Sequence, residues 1–321
     1  MIDQKTALIC GISGQDGAYL SQILLNKGYR VVGTSRDAST NSFKNLQKLG
    51  IADQVESMSM SHVDFRSVAQ TLIDVDPDEI YNLAGQSSVG LSFSQPVETL
   101  NSVAIGTINL LEAIRFTGSH ARIYQAGSSE CFGDTGPEPA DEQTPFRPRS
   151  PYATAKAAAH WTVLNYREAY GLHACSGILF NHESPLRPER FVTQKIVRGA
   201  VRIFRKGGEL HLGDLSVQRD WGWAPEYADA MWRMLQQDVP KDYIVATGQS
   251  HSLSDFCAAA FAELNLEMSN HVVSDISLRR PSDIKMSAGN PQAAKESLGW
   301  QAEHKMDTVI HRLLSAAMGY S

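Results

Sequence analysis

The sequence lacks the marks of several protein classes. Only four cysteines occur among 321 residues, and Cys10, Cys131, Cys175 and Cys257 stand singly and far apart. No two have the spacing of a metal knuckle or a small disulfide framework, so neither a zinc centre nor a cross-linked secreted scaffold is expected. Three of the four lie among apolar or small neighbours, as buried reduced thiols do, which points to the cytoplasm. Long apolar runs are also missing: no stretch approaches the ~20 residues that cross a bilayer. The opening "MIDQK" passes straight into a strand pattern, without the basic and apolar regions of a secretory leader. Positive charge is not in excess, because 29 Lys and Arg face 35 Asp and Glu for a formal net charge of -6. With the signs interspersed, neither a nucleic-acid partner nor a membrane surface is expected. Internal repeats and low-complexity tracts are absent. A small-molecule partner is left.

What the chain does have is a rhythm. From Thr6 onward, short apolar runs alternate with longer segments of helical period: "TALICG", "GAYLSQILLNKG", "YRVVGTS", "SVAQTLIDVDPDEIYNLAG". Farther on, "TLNSVAIGTINLLEAIRFTG" reads as a helix, "ARIYQAG" as a strand, "PYATAKAAAHWTVLNYREAYG" as a long helix and "HACSGILF" as a strand. Right-handed crossovers turn such a series into a doubly wound parallel sheet, an α/β fold of Rossmann type. After Asn181 prolines break the rhythm and other helical patterns follow, as a smaller substrate-binding lobe requires. The expected division is 1–180, with returning segments at about 215–250, for a dinucleotide lobe, and 181–214 with 251–321 for the second. The stretch "GDTGPEPADEQTPFRPRSP" reads as a long loop beside the active site.

"CGISGQDG" puts Gly11, Gly14 and Gly17 three apart between the first strand and the first helix. Glycines there allow a tight turn and close approach to a pyrophosphate, whose charge the helix N-terminus stabilises. A bare turn would have the same spacing; its placement after the first strand favours a dinucleotide. The second strand ends at Ser35 and Arg36, and a guanidinium beside a hydroxyl suits the 2'-phosphate of NADP, with NAD as the alternative. Asp37 opposes that phosphate if it points inward. Asp64 is either an adenine-side contact or the cap of the helix "FRSVAQTL".

In "SPYATAK", Ser150 and Pro151 suit a helix start, and Tyr152 and Lys156, four apart, share a face. An ammonium and an oxidised nicotinamide ring beside a phenol lower it from about 10 toward neutrality, giving a base for a sugar hydroxyl. Upstream, "AGSSE" sets two hydroxyls and a carboxylate at the end of an otherwise apolar strand.

Together "GISGQDGAYL", "PDEIYNLAGQSSVGLSF", "YQAGSSECFG", "PRSPYATAK", "NYREAYGLHACSGILFNHESP", "FVTQKI" and "RDWG" resemble the extended short-chain dehydrogenase/reductases. Within them, the resemblance is to the GDP-mannose 4,6-dehydratase family, over nearly the whole chain. The resemblance implies an NADP-dependent, redox-neutral lyase. Ser128, Glu130, Tyr152 and Lys156 fall at its catalytic positions. Gly11, Gly14, Gln15, Asp16, Gly17, Arg36, Asp64, Leu83 and Ala84, with Tyr152 and Lys156, fall at cofactor positions. Ser87, Asn181, Glu183, Lys195, Arg219, Arg280 and Asp283 fall on the GDP-sugar side. A homodimer or homotetramer is implied, its dimer packing the tyrosine-bearing helices, and no metal.

This sequence departs from the family pattern at Ser128 (for threonine), Asp37 (for the second of two arginines), Gly85 (for alanine), Leu186 to Pro188, and Gln194. Two other readings stand beside the lyase. A nucleotide-sugar reductase or epimerase acting on carbon 4 has no need of a carboxylate at Glu130. A non-catalytic sensor on the same fold has no use for all four catalytic residues.

Overall fold

The computed structural model describes residues 4–278 and 280–319. In chain order the first lobe runs β1 (Thr6–Cys10), α1 (Gln15–Asn26), β2 (Arg30–Ser35), α2 (Lys44–Lys48), β3 (Glu56–Ser59), α3 (Phe65–Val75), β4 (Glu79–Asn82), α4 (Val89–Ser94), α5 (Pro96–Leu100), α6 (Gly106–Thr117), β5 (Arg122–Ala126), α7 (Pro151–Tyr170) and β6 (Ala174–Leu179). Then come β7 (Asn181–Glu183), α8 (Val192–Lys206), β8 (Leu210–Leu212), β9 (Gln218–Trp223), α9 (Ala224–Leu235), β10 (Tyr243–Val245), β11 (Ser250–Ser252), α10 (Leu253–Ala262), β12 (Val272–Ser274), α11 (Gln292–Leu298) and α12 (Met306–Met318).

β1, β4 and β6 are buried from end to end because helices cover both faces of the sheet they form. The sheet is parallel, in the order β10-β6-β5-β4-β1-β2-β3, the doubly wound arrangement expected of the α/β series. Strand order reverses at β1, so the ends of β1 and β4 diverge and leave a crevice, where such sheets take their ligands.

The second lobe has its own core. Ile196, Trp221, Phe256, Phe261 and Ile310 are buried together in a cluster distinct from the two that flank the large sheet. Its β9 pairs with β7 and β11, whereas the sequence pattern assigns that segment to the first lobe. The return to the first lobe therefore begins at Ala224, where α9 packs on α1. Ala294, Leu298, Trp300 and Ala302 also join the first core, although they were expected in the second. These pairings link segments distant in sequence, and local periodicity carries no trace of them.

The expected helix over 99–118 is present but interrupted. Between α5 and α6 the residues Asn101–Ile105 form a π-turn, which brings the Ser102 hydroxyl 3.3 Å from the Gln86 N–H. The "GDTGPEPADEQTPFRPRSP" stretch is a loop, and it is pinned to the second lobe. Asp134 accepts from the Lys285 and Met286 N–H groups at 3.1 Å each, and the Ala140 N–H donates to the Ala288 carbonyl at 2.9 Å.

Candidate active site

The cleft follows the carboxyl ends of the large sheet, has the second lobe as its far wall, and encloses about 1280 Å³. At its floor Gly11 adopts a φ of 85°, and a Cβ there would lie 2.9 Å from the Ala84 backbone. A Cβ on Gly17 would lie 2.7 Å from the Ile12 Cα, so this turn closes only with glycine. Helix α1 starts at Gly14 with no side chain capping it, which leaves its N-terminus to an anion from the cleft. Leu83 and Ala84 complete this wall. The neighbouring Gln15 and Asp16 turn toward β7 instead. Gln15 donates to the His182 carbonyl at 3.2 Å and accepts from the Ser184 hydroxyl at 2.7 Å.

At the end of β2, Asn41 donates to the Ser35 hydroxyl at 2.9 Å, and the Arg36 side chain is 86% exposed with only a 3.9 Å approach to Glu98. Asp37 folds back on its own loop, accepting from the Ser39 hydroxyl at 2.6 Å and the Ser39 N–H at 3.0 Å. Those bonds hold its carboxyl below the usual range, and it does not line the cleft. Asp64 is placed as the cap of α3, accepting from the Arg66 N–H at 3.0 Å, outside the cleft wall. The wall there is His62, whose ring burial pushes down to about 4 and keeps neutral.

The catalytic candidates converge at the end of β5. The Gly127 N–H donates to the Gly177 carbonyl at 2.8 Å, and a Cβ on Gly127 would stand 2.8 Å from that same oxygen. The chain then turns sharply, and the Ser128 hydroxyl accepts from the Glu130 N–H at 3.3 Å to cap a short 3-10 turn over Ser129–Phe132. Opposite, Ser150 caps α7 through the Ala153 N–H at 3.0 Å, fixing Tyr152 and Lys156 on its inward face. Lys156 Nζ donates to the Ala126 carbonyl at 2.7 Å and stands 5.8 Å from the Tyr152 ring centroid. Ser128, Glu130, Tyr152 and Lys156 all line the cleft.

Burial dominates their electrostatics. Burial raises the Tyr152 phenol above its ordinary value, outweighing the Ser128 hydroxyl contact that favours ionisation. The chain alone thus does not lower Tyr152. Desolvation penalises the phenolate and the ammonium alike, and the Lys156 charge is turned to a carbonyl. Lys156 is pushed down to about 8 by burial, against Cys131 and Asp16. Glu130 is raised by burial, against the charges of Arg219 and Arg280 and with that of Asp283.

On the far wall, Arg219 is buried and donates to the Ile284 carbonyl at 3.0 Å and to Asp283 Oδ1 at 2.9 Å, which Arg280 approaches at 3.5 Å. Lys195 is exposed on α8, Ser87 lies on the loop braced by Gln86, and Asn181 is half-buried at the start of β7. Glu183 faces inward: it accepts from the Thr193 hydroxyl at 2.6 Å and pairs with Arg187 at 3.1 Å, so its carboxylate holds the segment together. The sequence reading passed over His182, Arg187 and His62. For His182 the available signal was its place inside "FNHESP", a polar run directly after a buried strand.

A doubly wound lobe whose glycine turn meets a hydroxyl, tyrosine and lysine set beneath a second lobe is the plan of the extended short-chain dehydrogenase/reductases. Solved structures agree on the fold. A dTDP-glucose 4,6-dehydratase from Bacillus anthracis in complex with NAD superposes with a TM-score of 0.85 at 19% identity, over 98% of this chain and 97% of that one. RMD from Pseudomonas aeruginosa complexed with NADPH gives 0.80 at 22% identity, over 99% and 100%. Residues 8–313 match the family described as GDP-mannose 4,6 dehydratase. GDP-mannose 4,6 dehydratase 2 of Arabidopsis thaliana is 46% identical over 97% of this chain and 86% of the relative. The chain belongs to the GDP-mannose 4,6-dehydratase family.

Proposed function

We propose that this cleft converts GDP-mannose to GDP-4-keto-6-deoxymannose without net redox change. The observation that carries the reading is Glu130: a carboxyl raised by burial, in the same cleft as Ser128, Tyr152 and Lys156, whose charge acts on the Tyr152 phenol. Tyr152 takes the proton of the carbon-4 hydroxyl while Ser128 hydrogen-bonds the same oxygen and Lys156 supports the phenolate. A nicotinamide dinucleotide, when bound, supplies reversible uptake of a hydride, which the side chains cannot provide. The ketone at carbon 4 acidifies carbon 5. Glu130 removes the carbon-5 proton and delivers a proton to the carbon-6 hydroxyl, which leaves as water; return to carbon 6 of the hydride taken from carbon 4, with a proton to carbon 5, would complete the 6-deoxy ketone with no net redox change. A carboxyl raised toward neutrality suits both halves of that task.

The glycine turn and uncapped α1 N-terminus fit the pyrophosphate of the cofactor, with Gly11, Gly14 and Gly17 as its floor. Arg36, free of strong pairing, with Ser35 beside it and Asp37 turned away, favours NADP over NAD. Replacing Arg36 with alanine is expected to weaken NADP binding about tenfold, leave NAD binding unchanged, and remove much of the salt dependence of the NADP titration. Arg219, Arg280 and Lys195 suit the two phosphates of the substrate, and Asp283 its ribose. Asn181 and Ser87 border the sugar.

A homodimer through α7 is supported by the apolar side chains left exposed beside it, Val97 at 68%, Ile105 at 43% and Trp161 at 55%. α5 and the π-turn pack directly on α7.

Incubation with GDP-mannose and no added reductant tests the activity. A 4-keto-6-deoxy product with no net NADPH consumption supports it, and product only with stoichiometric NADPH oxidation replaces it with a reductase. In Glu130→Gln, bound cofactor should still be reduced on adding substrate while water release falls by roughly 10²- to 10⁴-fold; undiminished dehydration would remove Glu130 from its role.

A further inference from the structure

The end of the cleft beside β2 holds an acid that the proposed chemistry leaves unused. Glu98, in the first turn of α5, lines the wall together with Ser35, Arg36 and Asn41. Its carboxylate stands 3.9 Å from Arg36 Nη1, and the Glu98 and Arg36 side chains are 55% and 86% exposed. A pair so long and so open adds little to the fold, which leaves both charges to act on whatever enters. Asp37 is turned away in bonds to its own loop, so the cation of Arg36 faces the cleft here with the anion of Glu98 set against it.

The backbone holds Glu98 in that place. Its carbonyl accepts from the Ser102 hydroxyl at 2.7 Å, and the same hydroxyl accepts from the Gln86 N–H at 3.3 Å. Gln86 Nε2 also donates to the hydroxyl of Thr99, the next residue of α5, at 3.1 Å. The π-turn thus ties α5 to the loop that carries Gln86 and Ser87 along the cleft wall, and α5 packs in turn on α7, the helix of Tyr152 and Lys156. Glu98 is an exposed side chain on a fixed backbone. Its charge and that of Arg36 favour different dinucleotides: a guanidinium matches a 2'-phosphate, whereas a carboxylate accepts from a free 2'-hydroxyl and repels the phosphate.

We propose that Glu98 is a second determinant of cofactor choice, opposed to Arg36: it favours the free adenosine ribose of NAD and repels the added phosphate of NADP, so the site takes both dinucleotides and its preference for NADP is held low. This rests on the proposed reading of the cleft as a dinucleotide site. Glu98→Gln keeps the size of the side chain and removes its charge, and so separates repulsion from shape.

Calorimetric titration of NADP and of NAD into the protein without substrate tests it. In Glu98→Gln, NADP should bind about three- to tenfold more tightly and NAD about two- to fivefold more weakly. The gain for NADP should persist when Arg36 is replaced by alanine, because the repulsion acts on the phosphate itself. It should also shrink at high salt, since charges this exposed are screened. An unchanged ratio of the two affinities overturns the proposal. So does a gain that vanishes in the Arg36→Ala background, which would make Glu98 a partner of Arg36 and nothing more. A native protein that binds neither dinucleotide overturns the reading of the cleft instead. Should Glu98→Gln fail to fold, Glu98→Ala decides through the same gain for NADP.

Discussion

The two walls of the cleft hold charge in different ways. On the first-lobe side, Tyr152 and Lys156 are buried with few polar neighbours, and burial shifts both away from their ordinary values. On the second-lobe side, Arg219, Arg280 and Asp283 share one carboxylate oxygen, and two of the three are partly open to water. A dry wall can tune protonation, whereas a wetter wall of paired charges is suited to gripping phosphates.

The comparison breaks most visibly at Tyr152. Tyr152→Phe should lower kcat by roughly 10²- to 10⁴-fold with little change in GDP-mannose affinity; a loss confined to KM would place the phenol on the binding wall instead. The opposite pattern is expected across the cleft. Arg219→Ala removes a buried charged donor and should raise KM about 10- to 100-fold, with kcat far less affected. Arg280→Ala acts from a more exposed pair and should raise KM only about two- to fivefold. Equal effects from the two arginines would show that burial does not rank them.

The smallest effect sharpens the contrast through pH. The folded chain sheds the Lys156 proton near about 8, the unfolded chain near 10.5. Between those values the unfolded state binds more protons, so the contribution of Lys156 to stability rises with pH. Urea unfolding at two pH values across the window should show the slope, and Lys156→Met should flatten it. Turnover should move the other way, falling above about 8 as the ammonium beside Tyr152 is lost.

Much of the fold is written locally. Runs such as "TALIC" and "ACSGIL" announce buried parallel strands, and Ser150 with Pro151 announces the helix that carries Tyr152. Glycine at 11 and 17 is legible because only a side chain without Cβ fits there. What is not legible depends on distant contacts. The pairing of β9 with β7 moved a segment to the other lobe, and Asp16 met His182 across 166 residues. The direction of the Tyr152 shift depends on how much water the fold removes, which a four-residue spacing cannot tell. Asp64 and Glu183 show the converse: acids at suggestive positions whose hydrogen bonds serve the backbone of α3 and the Thr193 hydroxyl.

The loop that follows Glu130 carries one more consequence. Asp134 is only four residues beyond Glu130 and is tied to the amides of Lys285 and Met286, while Asp283, two residues earlier, holds Arg219. The turn that carries Glu130 and the carboxylate that holds Arg219 are thereby braced across the gap like opposite jaws of a vice already set. On the proposed reaction, a ketone formed in such a frame would stay in register for the next bond to break.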